Sequence, residues 1–127
     1  MRAPLSGRVT SKFGSRIHPI THKRVFHNGV DIAAPIGTLI VAPEDGQVTE
    51  VWDHDKGGHS LAMVGISGTR YGFAHLSAQL HPVGKRVTEG MAIAKTGNTG
   101  ACTGPHVHFT LKRNGVFMDP EAFFKFL

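Results

Sequence analysis

Frequent glycine-rich turns are the sequence feature that most constrains the fold. Turn signals recur about every 8–12 residues, which is typical of an all-β domain. Glycine accounts for 16 of the 127 residues, nearly double the usual share of about 7%. Between the turns lie short apolar or alternating runs such as residues 61–66 and 106–112. The pattern predicts a mainly β domain built on an antiparallel sheet.

The C-terminus is the one segment that favours a helix. Asp119 suits the N-cap and Pro120 the first helical position, and residues 121–127 could complete about two turns. We therefore expect a short C-terminal helix. Residues 1–26 are the least regular part of the chain, and we assign no strand there.

Length, charge and cysteine content narrow the class of protein. A chain of 127 residues suits a single domain. Cys102 is the only cysteine, which excludes an internal disulfide and a cysteine-based structural zinc site; we interpret it as a small loop residue. The net charge of +5 favours anionic partners. The chain has no dense run of Lys and Arg, so the sequence does not predict binding to nucleic acid. No apolar run approaches the ~18 residues of a membrane span, and the first residues lack the apolar core of a signal peptide.

Histidines are unusually frequent, nine in all. His75 closes a strand in which alternation aligns it with Tyr71 and Phe73, a position typical of a structural histidine. The polar or turn-rich segments hold five more, which we interpret as surface residues: His18, His22, His54, His59 and His81.

Two short segments together contain enough ligands for a catalytic zinc site. His27 and Asp31 are four residues apart, and in extended backbone both side chains point to one side. His106 and His108 share one face of a predicted strand whose other face is apolar. A catalytic zinc takes three protein ligands and leaves one position open. His27, Asp31 and one of His106 and His108 supply three. Two histidines, counting His75, remain for proton transfer or oxyanion stabilisation.

The order of these motifs resembles a known family. The chain carries SKFGSRIHP at residues 11–19, HNGVD at 27–31, AAPIG at 33–37, FAHL at 73–76 and TGACTGPHVHF at 99–109. This series is similar to that of the lysostaphin-type zinc endopeptidases, peptidase family M23, over roughly residues 7–127. Several separated motifs in the same order make the resemblance specific.

The resemblance implies one Zn²⁺ per chain, held by His27, Asp31 and His108, with His75 and His106 as the catalytic histidines. It implies a single zinc metallopeptidase domain over residues 1–127. Its antiparallel sheet would form the floor of a groove, with loops at residues 16–26, 53–59 and 96–105 along the edges. The implied activity is hydrolysis of peptide cross-links in bacterial peptidoglycan, at the cell wall in the periplasm or outside the cell. A phage-encoded or envelope-associated lysin would suit such a chain.

A non-catalytic wall-binding or hydrolase-activating module on the same fold is the alternative. Loss of metal ligands would distinguish such a module, and here all five site positions are filled. The sequence leaves open which bond is cut, since glycine bridges and D-Ala–diaminopimelate links are both substrates within the family. It also leaves the oligomeric state open.

Overall fold

A computed structural model describes residues 1–17, 20–100 and 104–127. Within these residues the chain forms twelve strands and a single 3-10 turn at Pro120–Ala122. The strands are β1 (Arg8–Ser11), β2 (Gly14–Ile17), β3 (Arg24–His27), β4 (Val30–Ala33), β5 (Leu39–Val41), β6 (Gly46–His54), β7 (Gly58–Gly65), β8 (Arg70–Gln79), β9 (Arg86–Val87), β10 (Ala92–Thr96), β11 (His106–Arg113) and β12 (Val116–Met118).

Ten of the strands form one antiparallel sheet, as the sequence predicts. Its central path runs β1-β4-β11-β8-β7-β6-β9, with β10 paired to β5 and β8, and β12 paired to β11. Strands β2 and β3 form a separate hairpin. The order brings β4, β11 and β8 side by side, although they come from distant parts of the chain.

One face of the sheet packs into the hydrophobic core. Val107, Phe109 and Leu111 of β11 are fully buried, as are Tyr71 and Phe73 of β8. The Phe73 and Phe109 rings stack with centroids 5.0 Å apart. Because side chains alternate along a strand, the histidines of β11 lie on the opposite face. The predicted division of β11 into an apolar and a histidine-bearing face is confirmed.

The C-terminal helix predicted from the sequence is wrong beyond its first turn. Asp119 does cap the turn, since its carboxylate accepts a hydrogen bond from the backbone N–H of Glu121. The turn ends at Ala122. Phe124 and Phe126 beyond it are both buried, at 6% and 4% exposure. Burial of every second residue needs extended backbone, so packing of the two rings overrides the helix signals.

The N-terminal segment is more regular than the sequence suggests. Strands β1, β2 and most of β3 lie within the first 26 residues. Strand β1 pairs with β4 at the sheet edge, and β2 pairs with β3. Among the residues described here, no helix has the length and apolar character that crossing a membrane requires.

Candidate metal centre and active site

The three predicted metal ligands come together on the histidine-bearing face of the sheet. One nitrogen or oxygen atom from each of His27, Asp31 and His108 lies within 4.8 Å of the other two. His108 Nδ1 is 2.9 Å from Asp31 Oδ1, and His27 Nε2 is 3.6 Å from the same oxygen. All three residues are partly buried, which limits competition from water.

The backbone explains why residues far apart in sequence meet. Asp31 of β4 lies directly opposite His108 of β11 in the antiparallel register. His27 ends β3, and a two-residue break at Asn28 and Gly29 leads into β4. A Cβ on Gly29 would lie 2.2 Å from the Phe109 carbonyl oxygen, so only glycine lets the chain pass this close to β11.

Hydrogen bonds to neighbouring residues leave one nitrogen of His27 and one of His108 directed at Asp31. His27 Nδ1 lies 2.9 Å from the Lys12 carbonyl oxygen, so this nitrogen carries the proton and Nε2 keeps its lone pair. His108 Nε2 lies 2.9 Å from Asn28 Oδ1 and donates its N–H there. His108 Nδ1 therefore keeps its lone pair and faces Asp31. Metal-binding histidines commonly donate their second N–H in this manner. In each bond the partner is an oxygen that can only accept, so the proton lies on the ring nitrogen that faces it.

Asp31 is held in its charged form. Burial by itself would raise the pKa of this carboxyl group, but the hydrogen bond to His108 and the charge of the surrounding histidines lower its pKa overall. Two imidazole nitrogens and one carboxylate oxygen form a donor set that suits Zn²⁺. The residues present therefore fit a zinc ion.

The two remaining histidines lie beside the ligands. His75 and His106 have ring centroids 4.7 Å apart, and both line the 450 Å³ cavity over the three ligands. His75 Nδ1 bonds to the Thr99 carbonyl oxygen at 2.8 Å, and His106 Nδ1 bonds to the Gly104 carbonyl oxygen at 2.8 Å. Both rings are thus fixed by backbone carbonyls. Burial is the main cause that lowers the pKa of His75, which favours its neutral form.

A β-bulge explains how His75 reaches the cavity. Simple alternation places His75 on the core face with Tyr71 and Phe73, but the register slips between His59 and Leu61 of the neighbouring strand. The extra residue lies on β8, and His75 adopts a left-handed backbone with φ of 65°. Bulges commonly re-aim a side chain in this way. The alignment of His75 with Tyr71 and Phe73, expected from the sequence, is therefore wrong.

Two site residues have no role in the sequence analysis. Asn28 orients His108 and could have been suspected from its place inside the HNGVD motif. The Thr99 carbonyl accepts a hydrogen bond from His75 Nδ1–H, and the Thr99 side chain bridges β7 and β8. Its hydroxyl accepts a hydrogen bond from the His59 N–H at 3.1 Å and donates one to the Leu76 carbonyl at 2.7 Å.

The histidines assigned to the surface mostly lie there. His22, His54 and His59 are exposed. His81 is half-buried, with Nε2 bonded to the Ala92 carbonyl oxygen. His18 and Cys102 lie outside the described residues. Strands β2 and β3 take up both ends of the segment 16–26, which was expected to be a groove loop.

A family model connects this geometry to known proteins. The model for "Peptidase family M23" matches residues 25–120, a span that includes the three predicted ligands as well as His75 and His106. The chain belongs to peptidase family M23. The resemblance seen in the sequence motifs is thereby confirmed.

Several known peptidases are similar to this chain over most of its length. A peptidoglycan DD-endopeptidase, ShyC, of Vibrio cholerae is 37% identical over 96% of this chain and 29% of its own. The crystal structure of a zinc containing peptidase from Vibrio cholerae superposes with a TM-score of 0.87 and 36% identity, over 93% of this chain and 38% of that one. The catalytic domain of lysostaphin from Staphylococcus simulans gives a TM-score of 0.79 and 29% identity, over 92% and 91% of the two chains.

The M23 match extends over only part of the larger relatives. The chain spans about a quarter of the length of the first curated relatives it matches, 26% in each case. The fold that the resemblance implied, a lysostaphin-like antiparallel sheet beneath a groove, is confirmed.

Proposed function

We propose that this chain is a zinc-dependent endopeptidase that hydrolyses peptide cross-links of bacterial peptidoglycan. We further propose that residues 1–127 form one metallopeptidase domain that holds a single Zn²⁺. The observation that carries the proposal is the convergence of His27, Asp31 and His108 within 4.8 Å, beside a second pair of histidines.

His27 Nε2, Asp31 Oδ1 and His108 Nδ1 would hold the metal. Bound zinc would supply Lewis-acid polarisation of the substrate carbonyl and lower the pKa of the attacking water. The carboxylate offsets part of the metal charge, and Asn28 and the Lys12 carbonyl keep the two imidazoles in the required orientation. Three protein ligands leave a position open for chemistry, which is the pattern of catalytic zinc sites.

His75 and His106 would carry out proton transfer and oxyanion stabilisation. Each ring donates Nδ1–H to a backbone carbonyl, so Nε2 is the nitrogen that can accept a proton from water or donate one to a developing oxyanion. The lowered pKa of His75 leaves it neutral at pH 7 and able to act as a base.

Peptidoglycan is proposed as the substrate because a relative 37% identical to this chain is named a peptidoglycan DD-endopeptidase. The proposed place of action is therefore the bacterial cell wall, in the periplasm or outside the cell. A phage-encoded role stays a prediction. The alternative of a non-catalytic module is disfavoured because an intact ligand set and an adjacent histidine pair would have no use in it.

Digestion of purified peptidoglycan tests the proposal. Walls of two chemotypes, one with glycine bridges and one with direct D-Ala–diaminopimelate links, are incubated with the protein, and the products are read by mass spectrometry. We expect new amino termini from at least one wall, and none with a chelator or with His108→Ala. Protein that holds one equivalent of zinc and cleaves neither wall would contradict the proposal.

A further inference from the structure

The groove floor beside the metal centre is arranged in cross-strand rows. In the register of β8 and β11, His108 lies opposite Ala74, Thr110 opposite Gly72, and Lys112 opposite Arg70. Phe117 of β12 extends the last row because it lies opposite Lys112. Residues opposite one another share a face of the sheet. A cationic row therefore lies on the same face as His108, four strand positions away.

A slot connects this cationic row to the metal centre. A cavity of about 190 Å³ is lined by Asn28 and His108 of the centre and by Trp52, Arg70, Gly72 and Phe117 of the floor. At ~3.3 Å per residue, the Gly72 row lies about 7 Å along the strand from the His108 row. That distance corresponds to about two residues of an extended peptide, so the slot is within reach of residues next to the scissile bond.

Gly72 keeps the slot open. A Cβ at this position would lie 2.5 Å from Thr110 Oγ1 and 3.2 Å from Arg70 Nη1. The second distance also shows that the Arg70 guanidinium leans back over Gly72, toward the metal centre. Any larger residue at position 72 would occupy the space between Arg70 and His108.

The Arg70 head group is held in place before a ligand arrives. Arg70 Nη2 forms an ion pair with Glu50 Oε2, and its Cζ lies 5.9 Å from the centroid of the Trp52 ring. Nη1 is on the Gly72 side. A guanidinium fixed at one amino group keeps further N–H donors for a carboxylate.

The charge around the slot favours an anion. Lys112 Nζ lies 4.8 Å from the centroid of the Phe117 ring, so a second cation stands beside the slot wall. Glu50 offsets one of the two positive charges. Arg70, Lys112 and Glu50 together carry a net charge of +1.

We propose that Arg70 binds a carboxylate of the substrate in this slot, on a residue close to the scissile bond, and that Lys112 adds positive charge beside the Phe117 wall. The groove then selects peptides that carry a free carboxylate at this position, and disfavours those in which the same group is neutral. This proposal rests on the proposed function, because the slot shares Asn28 and His108 with the metal centre.

Two matched substrates test the selection. A cross-linked dimer of diaminopimelate-containing tetrapeptides is prepared with both diaminopimelate carboxylates free, and a second dimer with both amidated. Amidation removes the charge and leaves the size almost unchanged. Because hydrogen bonds to charged groups are the stronger class, we expect kcat/KM of the zinc-loaded protein to be at least about tenfold higher for the free acid.

The double variant Arg70→Gln/Lys112→Gln assigns the selection to these residues. It should lower kcat/KM for the free acid by about tenfold and change the amidated dimer less than about threefold. The matched control is Arg8→Gln/Lys95→Gln, which removes the same charge from two exposed positions and should keep the wild-type ratio. Equal cleavage of both dimers by the wild type, or an unchanged ratio in the slot variant, would overturn the proposal.

A binding measurement separates this proposal from the proposed function. The His106→Ala variant keeps the three proposed metal ligands and turns over at least about 100-fold more slowly, so calorimetry on it measures the affinity for each dimer. We expect the free acid to bind at least about tenfold more tightly. If the wild type cleaves neither dimer and neither wall chemotype but this preference is found, the proposed function fails and the slot stands. Equal affinities would refute the slot even if both dimers are cleaved.

Discussion

At the scale of single residues, the proposal separates three metal ligands from two further histidines. His27 and His108 both face the Asp31 carboxylate, whereas His75 and His106 are fixed by backbone carbonyls.

We expect His27→Ala, Asp31→Ala and His108→Ala to be purified without zinc. His75→Ala and His106→Ala should bind one equivalent and lose at least about 100-fold in activity. Elemental analysis of the five proteins measures this. Metal-free His75→Ala together with zinc-bound His108→Ala would reverse the assignment.

Asn28 holds the His108 ring in place. Its Oδ1 is 2.9 Å from His108 Nε2, so Asn28→Ala removes the partner that orients this ligand. Loss of such a partner typically weakens metal binding by about 10–100-fold. Competition with a chromogenic chelator measures the zinc affinity. The control is Asn98→Ala, at an exposed position; an Asn28→Ala affinity equal to that of the control would count against the role of Asn28.

At the scale of elements, the bulge in β8 and the loop after β10 act together. The bulge re-aims His75, and Thr99 holds it there while bridging to β7 and β8. Thr99→Val keeps the shape but leaves the His59 N–H and the Leu76 carbonyl without this partner. We expect a loss of about 1–3 kcal/mol in the free energy of unfolding and a fall in kcat of up to about 100-fold from a displaced His75, with zinc still bound. Urea unfolding and steady-state rates measure both.

The control for Thr99 is Thr88→Val, which makes the same change at an exposed position. It should leave stability within about 0.5 kcal/mol of the wild type. Wild-type kcat in Thr99→Val, with zinc bound, would show that the loop does not position His75.

At the scale of the whole molecule, a buried carboxylate makes stability depend on pH. Glu44 is only 5% exposed, and it accepts hydrogen bonds from Ser67 and from the hydroxyl of Tyr71. Burial would raise the pKa of Glu44, but these hydrogen bonds and the charge of Arg113 lower it below 4.5 overall. Burial and the nearby Glu44 raise the pKa of Tyr71 far above neutral pH, so its hydroxyl remains a donor.

The sign of the pH effect follows from the lowered pKa. The stabilisation from ionised Glu44 is complete above the unfolded-state pKa near 4.5 and is lost as pH falls through the folded-state value. Glu44→Gln should therefore lower the free energy of unfolding at pH 7 by about 1–3 kcal/mol and show a smaller loss between pH 7 and pH 3.5 than the wild type. Urea titrations at both pH values measure this. Asp55→Asn, at an exposed position, should behave as the wild type; a parallel fall in Glu44→Gln and wild type would contradict the assignment.

Sequence patterns alone were enough to predict the strand-rich fold class, the two faces of β11 and membership of the family. These depend on local information: the period-two alternation of residues 106–112, the glycine turns, and short motifs whose spacing is readable along the chain. The same local signals failed at the C-terminus, because Asp119 and Pro120 do favour a helical start. The need to bury Phe124 and Phe126 against the core is a tertiary effect that the local pattern does not contain.

Only the tertiary structure decided how the site is assembled. Register between β4 and β11 places Asp31 against His108, and a bulge that no alternation rule anticipates turns His75 out of the core and into the cavity. The choice between His106 and His108 as the nearer neighbour of Asp31 also depends on pairing between strands 77 residues apart in sequence. Pairing register and bulges are set by the packing of the complete sheet, and for this reason they appear only once the chain is folded.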